Sequence, residues 1–240
     1  MPRAEPRHPV LDTRHLLGNG NGPGNGTNNG TDPAAEDAVS EAPSSVSTMD
    51  TDELFLRSDA ALRDVIDRID PADLTRPAPS EWTSTADPTF RDILQAHTYD
   101  EAWVPDVLRG RASADGDDLR GVDLLGDDPI GAYDARNDAA TAAVRAGGYA
   151  DTFRFSYGDY PAAEGLAHLA TYRAFQAWLI AKHLGIPFHF TPELIAGLEE
   201  HVVSFAEEWR AWGVFPPAID PPEGADDETR LLCAVGYWIA

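Results

Sequence analysis

An all-α fold follows from three features of this 240-residue chain. Apolar residues recur at spacings of three and four over long stretches, helix start and stop residues separate those stretches, and sustained alternation of the kind a sheet needs is nearly absent. The expected architecture is a four-helix bundle with additional short helices, preceded by a disordered N-terminal tail.

Residues 1–47 contain GNGNGPGNGTNNGTDP and then AAEDAVSEAPSSVS, which offer little to bury against the entropy of ordering, so this segment is expected to be disordered and 48–240 to form the helical domain. The first helix opens near Thr51, where Leu54, Phe55, Leu62, Val65, Ile66 and Ile69 share a face, and Pro71 ends it. Pro77, Pro79 and Pro88 mark a loop that tucks Trp82 back toward the core. Thr89 with Asp92 makes a capping box for a second helix whose stripe is Phe90, Ile93, Leu94, His97, Val104, Val107 and Leu108, closed by Gly110. The acidic run around Asp115 to Asp118 reads as a solvated loop without calcium-loop spacing.

Asp128-Pro129 opens a third helix carrying Ile130, Tyr133, Asn137 and Val144 before Gly147-Gly148. TFRFSYGDYP alternates and then turns at Gly158-Asp159, too short a stretch to read as a sheet. The fourth helix is expected from Ala162 to Leu184 with Gly185 as its stop, one face carrying Leu169, Tyr172, Gln176, Leu179 and His183. A fifth begins at Thr191-Pro192 and presents Leu194, Leu198, Val202, Phe205 and Trp209. Trp209, Trp212 and Trp238 would cover either the monomer or a partner, which leaves a homo-oligomer open.

Composition narrows the function. There are 41 acidic and 18 basic residues, a formal charge of −23, which repels nucleic-acid phosphates and anionic lipid surfaces alike. A membrane span needs roughly 18 to 20 consecutive apolar residues, and neither such a run nor a signal-peptide apolar region is found. Cys233 is the single cysteine, so no intrachain disulfide and no multi-cysteine metal site can form, and the expected compartment is the cytoplasm. The glycosylation-like motifs at Asn25 and Asn29 are then chance matches. Cys233, next to Leu231 and Leu232, reads as a packing residue. The expected partner is a small-molecule substrate.

Bundles build sites from polar side chains that face inward from different helices. His97, Tyr172 and Gln176 are the candidate catalytic set, with Asp100, Glu101, Asn137 and His183 as candidate pocket-lining residues. Asp100 and Glu101 stand three and four residues after His97, where a carboxylate can orient or charge the imidazole. The alternative for His97 is a core histidine hydrogen-bonded to a neighbouring helix, and for His183 a capping role in the last helical turn. His168, His189 and His201 read as surface or loop residues.

Four ordered blocks, PSEWTSTADPTFRDILQAHTYDEAWVPDVLRG, VDLLGDDPIGAYDARNDAA, FRFSYGDYPAAEGLAHLATYRAFQAWLIAKHLG and WGVFPPAIDPPEGADDETRLLCAVG, together resemble actinobacterial metal-binding proteins of the DinB-like superfamily. These are related to the N-terminal domain of mycothiol-dependent maleylpyruvate isomerase. The resemblance covers about residues 51–236. It implies a four-helix bundle in which a divalent metal, often zinc, is held by a histidine of the second helix and by an acidic residue and a histidine four apart on a later helix. Members use a low-molecular-weight thiol such as mycothiol in transfer or isomerisation.

The first ligand falls on His97, but the other two fall on Tyr172 and Gln176, and the aspartate that usually follows the last histidine is Leu179 here. The chain also carries an apparent insertion, roughly STADP, before Phe90. A phenol with an ordinary pKa of about 10 and a neutral amide are poor zinc ligands near pH 7, so the expected cofactor is none. The first reading is an enzyme of specialised metabolism that has left the superfamily's metal and thiol chemistry for metal-independent isomerisation, cyclisation or group transfer. His97 would move protons, Tyr172 polarise a carbonyl and Gln176 orient it. The second is a non-catalytic small-molecule or protein binding module, and the third a zinc-binding, mycothiol-dependent transferase or isomerase with altered ligands.

Overall fold

The computed structural model describes residues 49–83, 85–112, 118–211 and 213–238. The tail at 1–47 with its Asn25 and Asn29 motifs, most of the acidic run at 115–118, and Trp212 lie outside the described residues.

The described chain is mostly helical. Its elements are α1 (Thr51–Ile66), α2 (Phe90–Val107), α3 (Pro129–Ala146), the strands β1 (Thr152–Phe155) and β2 (Gly158–Pro161), α4 (Ala162–Leu184), α5 (Pro192–His201), α6 (Ala206–Ala211) and α7 (Asp227–Val235). Among the described residues, no helix is long and apolar enough to cross a membrane.

Local chemistry places the helix ends. Asp50 caps α1 by accepting from the Glu53 N–H at 2.8 Å, and Asp92 accepts from the Thr89 N–H at 2.8 Å in the capping box of α2. Gly110 and Gly185 end their helices at φ of 73°, a left-handed conformation that costs a Cβ-bearing residue more. The Pro77–Thr89 bridge holds the intervening loop, and Trp82 is 4% exposed, as its expected return to the core requires.

α1 packs closely along α4, α2 along α3, and α1 also meets α3. The backbones of α2 and α4 approach less closely, and long side chains span the space between them.

Three expectations need correction. TFRFSYGDYP does form a sheet: β1 and β2 pair antiparallel, with Phe153 opposite Tyr160, and the hairpin folds onto α4 so tightly that a Cβ at Gly165 would stand 2.5 Å from the Phe153 ring. The fifth helix is not continuous. It stops at His201, a short 3-10 turn covers Val203–Phe205, and Phe205 points outward at 52% exposure. The adjacent β-branched pair Val202-Val203 sits at the break, where helix propensity is weakest. Finally, α4 has no single buried stripe: from Gly165 to Ala181 every residue except Leu169 and Leu179 is buried. Such a helix is the centre of a fold rather than its face.

Candidate functional site

The site lies where α2 faces α4. His97 and Glu101 are one turn apart on α2, as Tyr172 and Gln176 are on α4, so each pair projects from one side of its helix. The His97 and Tyr172 rings meet at 5.1 Å between centroids, tilted by 34°. His97 and Gln176 are each about 1% exposed and Tyr172 is 7%. The three residues expected to act together are thus brought together.

Their polar atoms are not all satisfied. His97 and the Gln176 amide stand within hydrogen-bonding reach of each other, and His97 Nε2 and both amide atoms of Gln176 are buried without a well-formed bond to any other group in the protein. Gln176 comes near enough to His97 to favour a positive imidazole, but burial and the charge of Arg173 dominate and lower His97 to about 3. His97 is therefore neutral at neutral pH. Buried polar groups normally find partners, and each left without one costs about 1–3 kcal/mol.

Asp100 joins the site from the next position on α2. It keeps partial exposure, the Tyr172 hydroxyl donates to its carboxylate, and burial raises it to about 7 against the opposing effects of Arg173 and that hydrogen bond. Tyr172 itself is pushed well above its ordinary value by burial and by the Asp100 charge, so the phenol stays protonated.

Glu101 belongs to a buried charge cluster beneath this surface. Arg173 lies with Nη2 2.9 Å from Glu101 Oε1 and with Nε 3.0 Å from Asp59 Oδ1, and all three side chains are about 1% exposed. Thr141 donates to the second Asp59 oxygen at 2.6 Å, Arg173 Nη1 donates to the Leu169 carbonyl at 3.2 Å, and the Phe55 ring covers the guanidinium at 4.7 Å. Burial alone would weaken the Arg173 charge, but Glu101 and Asp59 more than offset it. Burial, opposed by Arg173 and reinforced by Asp59, raises Glu101 to about 8. One guanidinium cannot neutralise two buried carboxylates, so the cluster retains a proton, and the unpartnered Glu101 Oε2 is where it would reside.

Arg173 and Asp59 were missed in the sequence. The visible signal was a gap in the α1 stripe between Phe55 and Leu62, filled by the buried polar pair Ser58 and Asp59.

Asn137 is buried on α3, where its Oδ1 accepts from Arg63 on α1 at 3.2 Å and its side chain approaches Tyr133, which feels the charges of the Glu101–Arg173–Asp59 cluster, so Asn137 adjoins that cluster and not the His97–Tyr172 ring pair. His183 is exposed and packs on Phe90 at 5.4 Å and Trp82 at 5.8 Å, two turns beyond Gln176. Among the other histidines, His189 is on the surface as expected and His201 is half-buried, with Nε2 2.6 Å from the Met49 carbonyl. His168, expected at the surface, is buried.

The donors do not fit the metal that the resemblance implies. The three aligned positions supply one neutral imidazole, a phenol held protonated and a neutral amide, and among the described residues no group of three or more histidine, cysteine, aspartate or glutamate side chains could hold an ion. A scan against protein-family models finds no match, nor do comparisons with curated proteins and with solved structures.

Proposed function

We propose that the chain is an enzyme that takes a small polar organic molecule between α2 and α4 and moves a proton on it without a metal, in an isomerisation, cyclisation or group transfer. A DinB-like four-helix bundle in a cytoplasmic protein is the framework this reading assumes. The observation that carries it is the buried pair of His97 and the Gln176 amide, which find no well-formed partner beyond each other, beside a carboxyl poised near 7. A ligand with one carbonyl or hydroxyl would satisfy those atoms, and a proton carrier works best when its pKa lies near the operating pH.

The roles divide by charge. Asp100 is the better proton carrier, and Tyr172, bonded to it, steers and shares that proton. His97, at about 3, is too weak a base to take a proton at pH 7, so it serves as a neutral hydrogen-bonding group and replaces the proton-moving role its sequence position suggested. Gln176 orients the bound oxygen.

The test is a thermal-shift screen of small carbonyl and hydroxy acids on metal-free protein, followed by NMR detection of solvent deuterium entering each hit. Exchange that falls at least about 100-fold in Asp100→Asn supports the reading. Exchange unchanged by Asp100→Asn would sink the role of Asp100, and a hit that binds without any exchange would reduce the site to a binding module. Stoichiometric zinc in protein purified without added metal, lost in His97→Ala, would favour the family's metal chemistry instead.

A further inference from the structure

Two successive residues of α2 pair with two successive residues of α4. The Tyr172 hydroxyl donates to the Asp100 carboxylate, and in the next rung Glu101 Oε1 stands 2.9 Å from Arg173 Nη2. Asp100 keeps partial exposure, whereas Glu101 and Arg173 are each about 1% exposed. The rung that a molecule from solvent can reach therefore carries an acid, and the cation lies behind it.

Arg173 is also committed on its other sides. Nε bonds Asp59 Oδ1 at 3.0 Å, Nη1 donates to the Leu169 carbonyl at 3.2 Å, and the Phe55 ring covers the guanidinium at 4.7 Å. Among the described residues it is the one cation that acts on His97, Asp100 and Tyr172. Toward the β1–β2 hairpin the charges are negative as well: burial raises Tyr157, and the Asp100 and Glu164 carboxylates add to that effect. A carboxylate taken out of water is stable only beside a cation or a set of N–H donors. Here it would meet Asp100, and like charges at short range repel strongly where water is scarce.

We infer that the α2–α4 site takes an uncharged carbonyl or hydroxyl compound and rejects the corresponding carboxylate, with Asp100 setting this preference and Arg173 barred by burial from offsetting it. The hydroxyl or amide N–H of an uncharged compound can donate to Asp100 without bringing a like charge beside it. This inference rests on the reading of the α2–α4 groove as a small-molecule site and adds the charge class of the molecule.

The test uses pairs that differ in charge and little else: lactamide and lactate, pyruvamide and pyruvate, mandelamide and mandelate. Each is titrated into the full chain at pH 7.5 and constant ionic strength, with binding followed by NMR of the backbone amides. At least one amide is expected to bind saturably in the millimolar range, at least about 10-fold more tightly than its acid. In Asp100→Asn, and in Ala96→Lys, which adds a cation one turn before Asp100, that ratio should narrow to about 3-fold or less. Ala96 is partly exposed, so the lysine variant should keep its helical circular dichroism. An acid that binds as tightly as its amide, no saturable binding by any of the three amides, or a ratio unchanged in both variants would each overturn the inference. Acids that bind and exchange deuterium in place of the amides would do so while leaving the proton-moving reading intact, whereas amides that bind without exchange would sink that reading and uphold the charge preference.

Discussion

Arg173 Nη2 stands 2.9 Å from Glu101 Oε1 with both side chains about 1% exposed, so a residue of α4 and a residue of α2 share a buried charge. Asp59 of α1 completes the cluster through Arg173 Nε, and three helices are thereby fixed to one guanidinium.

Removing the shared cation leaves the two buried acidic side chains and the charge they share without compensation. Arg173→Met is expected to destabilise the fold by about 3–5 kcal/mol in urea unfolding. Adding Asp59→Asn and Glu101→Gln to that variant should recover a large part of the loss, because the three act as one unit. Strict additivity of the three changes would show that the residues are not coupled.

The buried histidines and the buried carboxyls predict pH dependences of opposite sign. His97 at about 3 and His168 at about 4 lie below the ordinary imidazole value of 6.5, so the unfolded chain binds protons first and stability falls as pH drops below about 6.5. Asp100 at about 7 and Glu101 at about 8 lie above their ordinary 3.8 and 4.5, so the stability tied to their native protons is fully present below those ordinary values and is lost as pH rises through 7 and 8. Between about pH 6.5 and 8.5 the histidine contribution has ended and the carboxyls act alone. Urea midpoints over that window should decline in the wild type and decline less in Glu101→Gln; parallel lines for the two proteins would refute the assignment.

The Gln176 amide, with no well-formed partner beyond His97, burdens the free protein. Gln176→Met keeps the volume and removes the buried polar atoms, and should raise stability by about 1 kcal/mol in the absence of ligand. The same variant should lose affinity for any hit of the thermal-shift screen. A destabilised Gln176→Met would mean that the amide is already satisfied in solution.

Gly165 permits the close approach of the hairpin. In Gly165→Ala the new methyl would meet Phe153, whose side chain is wholly buried and has little room to yield. A loss of about 1–3 kcal/mol is expected in spite of alanine's better helix propensity, with partial recovery in Gly165→Ala/Phe153→Leu. Thermal melting of the two variants measures both effects.

The sequence carried the helix limits well because discrete chemistry marks them: the Thr89–Asp92 box, Pro129 behind Asp128, and Gly185 at positive φ. It also carried the meeting of His97, Tyr172 and Gln176, since each interrupts an apolar pattern at a position that faces inward. Arg173 was hidden by its neighbour. In α4 almost every direction is inward, so choosing the face of Tyr172 and Gln176 placed Arg173 on the outside, although it is among the largest fully buried side chains. His168 was lost the same way, and His183, on the expected face, lies past the point where that helix is enclosed. Periodicity identifies a buried face only when the helix also has an exposed one.

The enclosure of α4 from Gly165 to Ala181 also makes it a built-in gauge. Amides at the centre of such a helix exchange with heavy water only when the fold as a whole opens. Deuterium uptake along α4 therefore reads the free energy of global opening, and a molecule that binds the folded state alone slows that uptake in proportion to its occupancy. Hydrogen exchange at this one segment can thus rank unknown compounds without any prior choice of reaction.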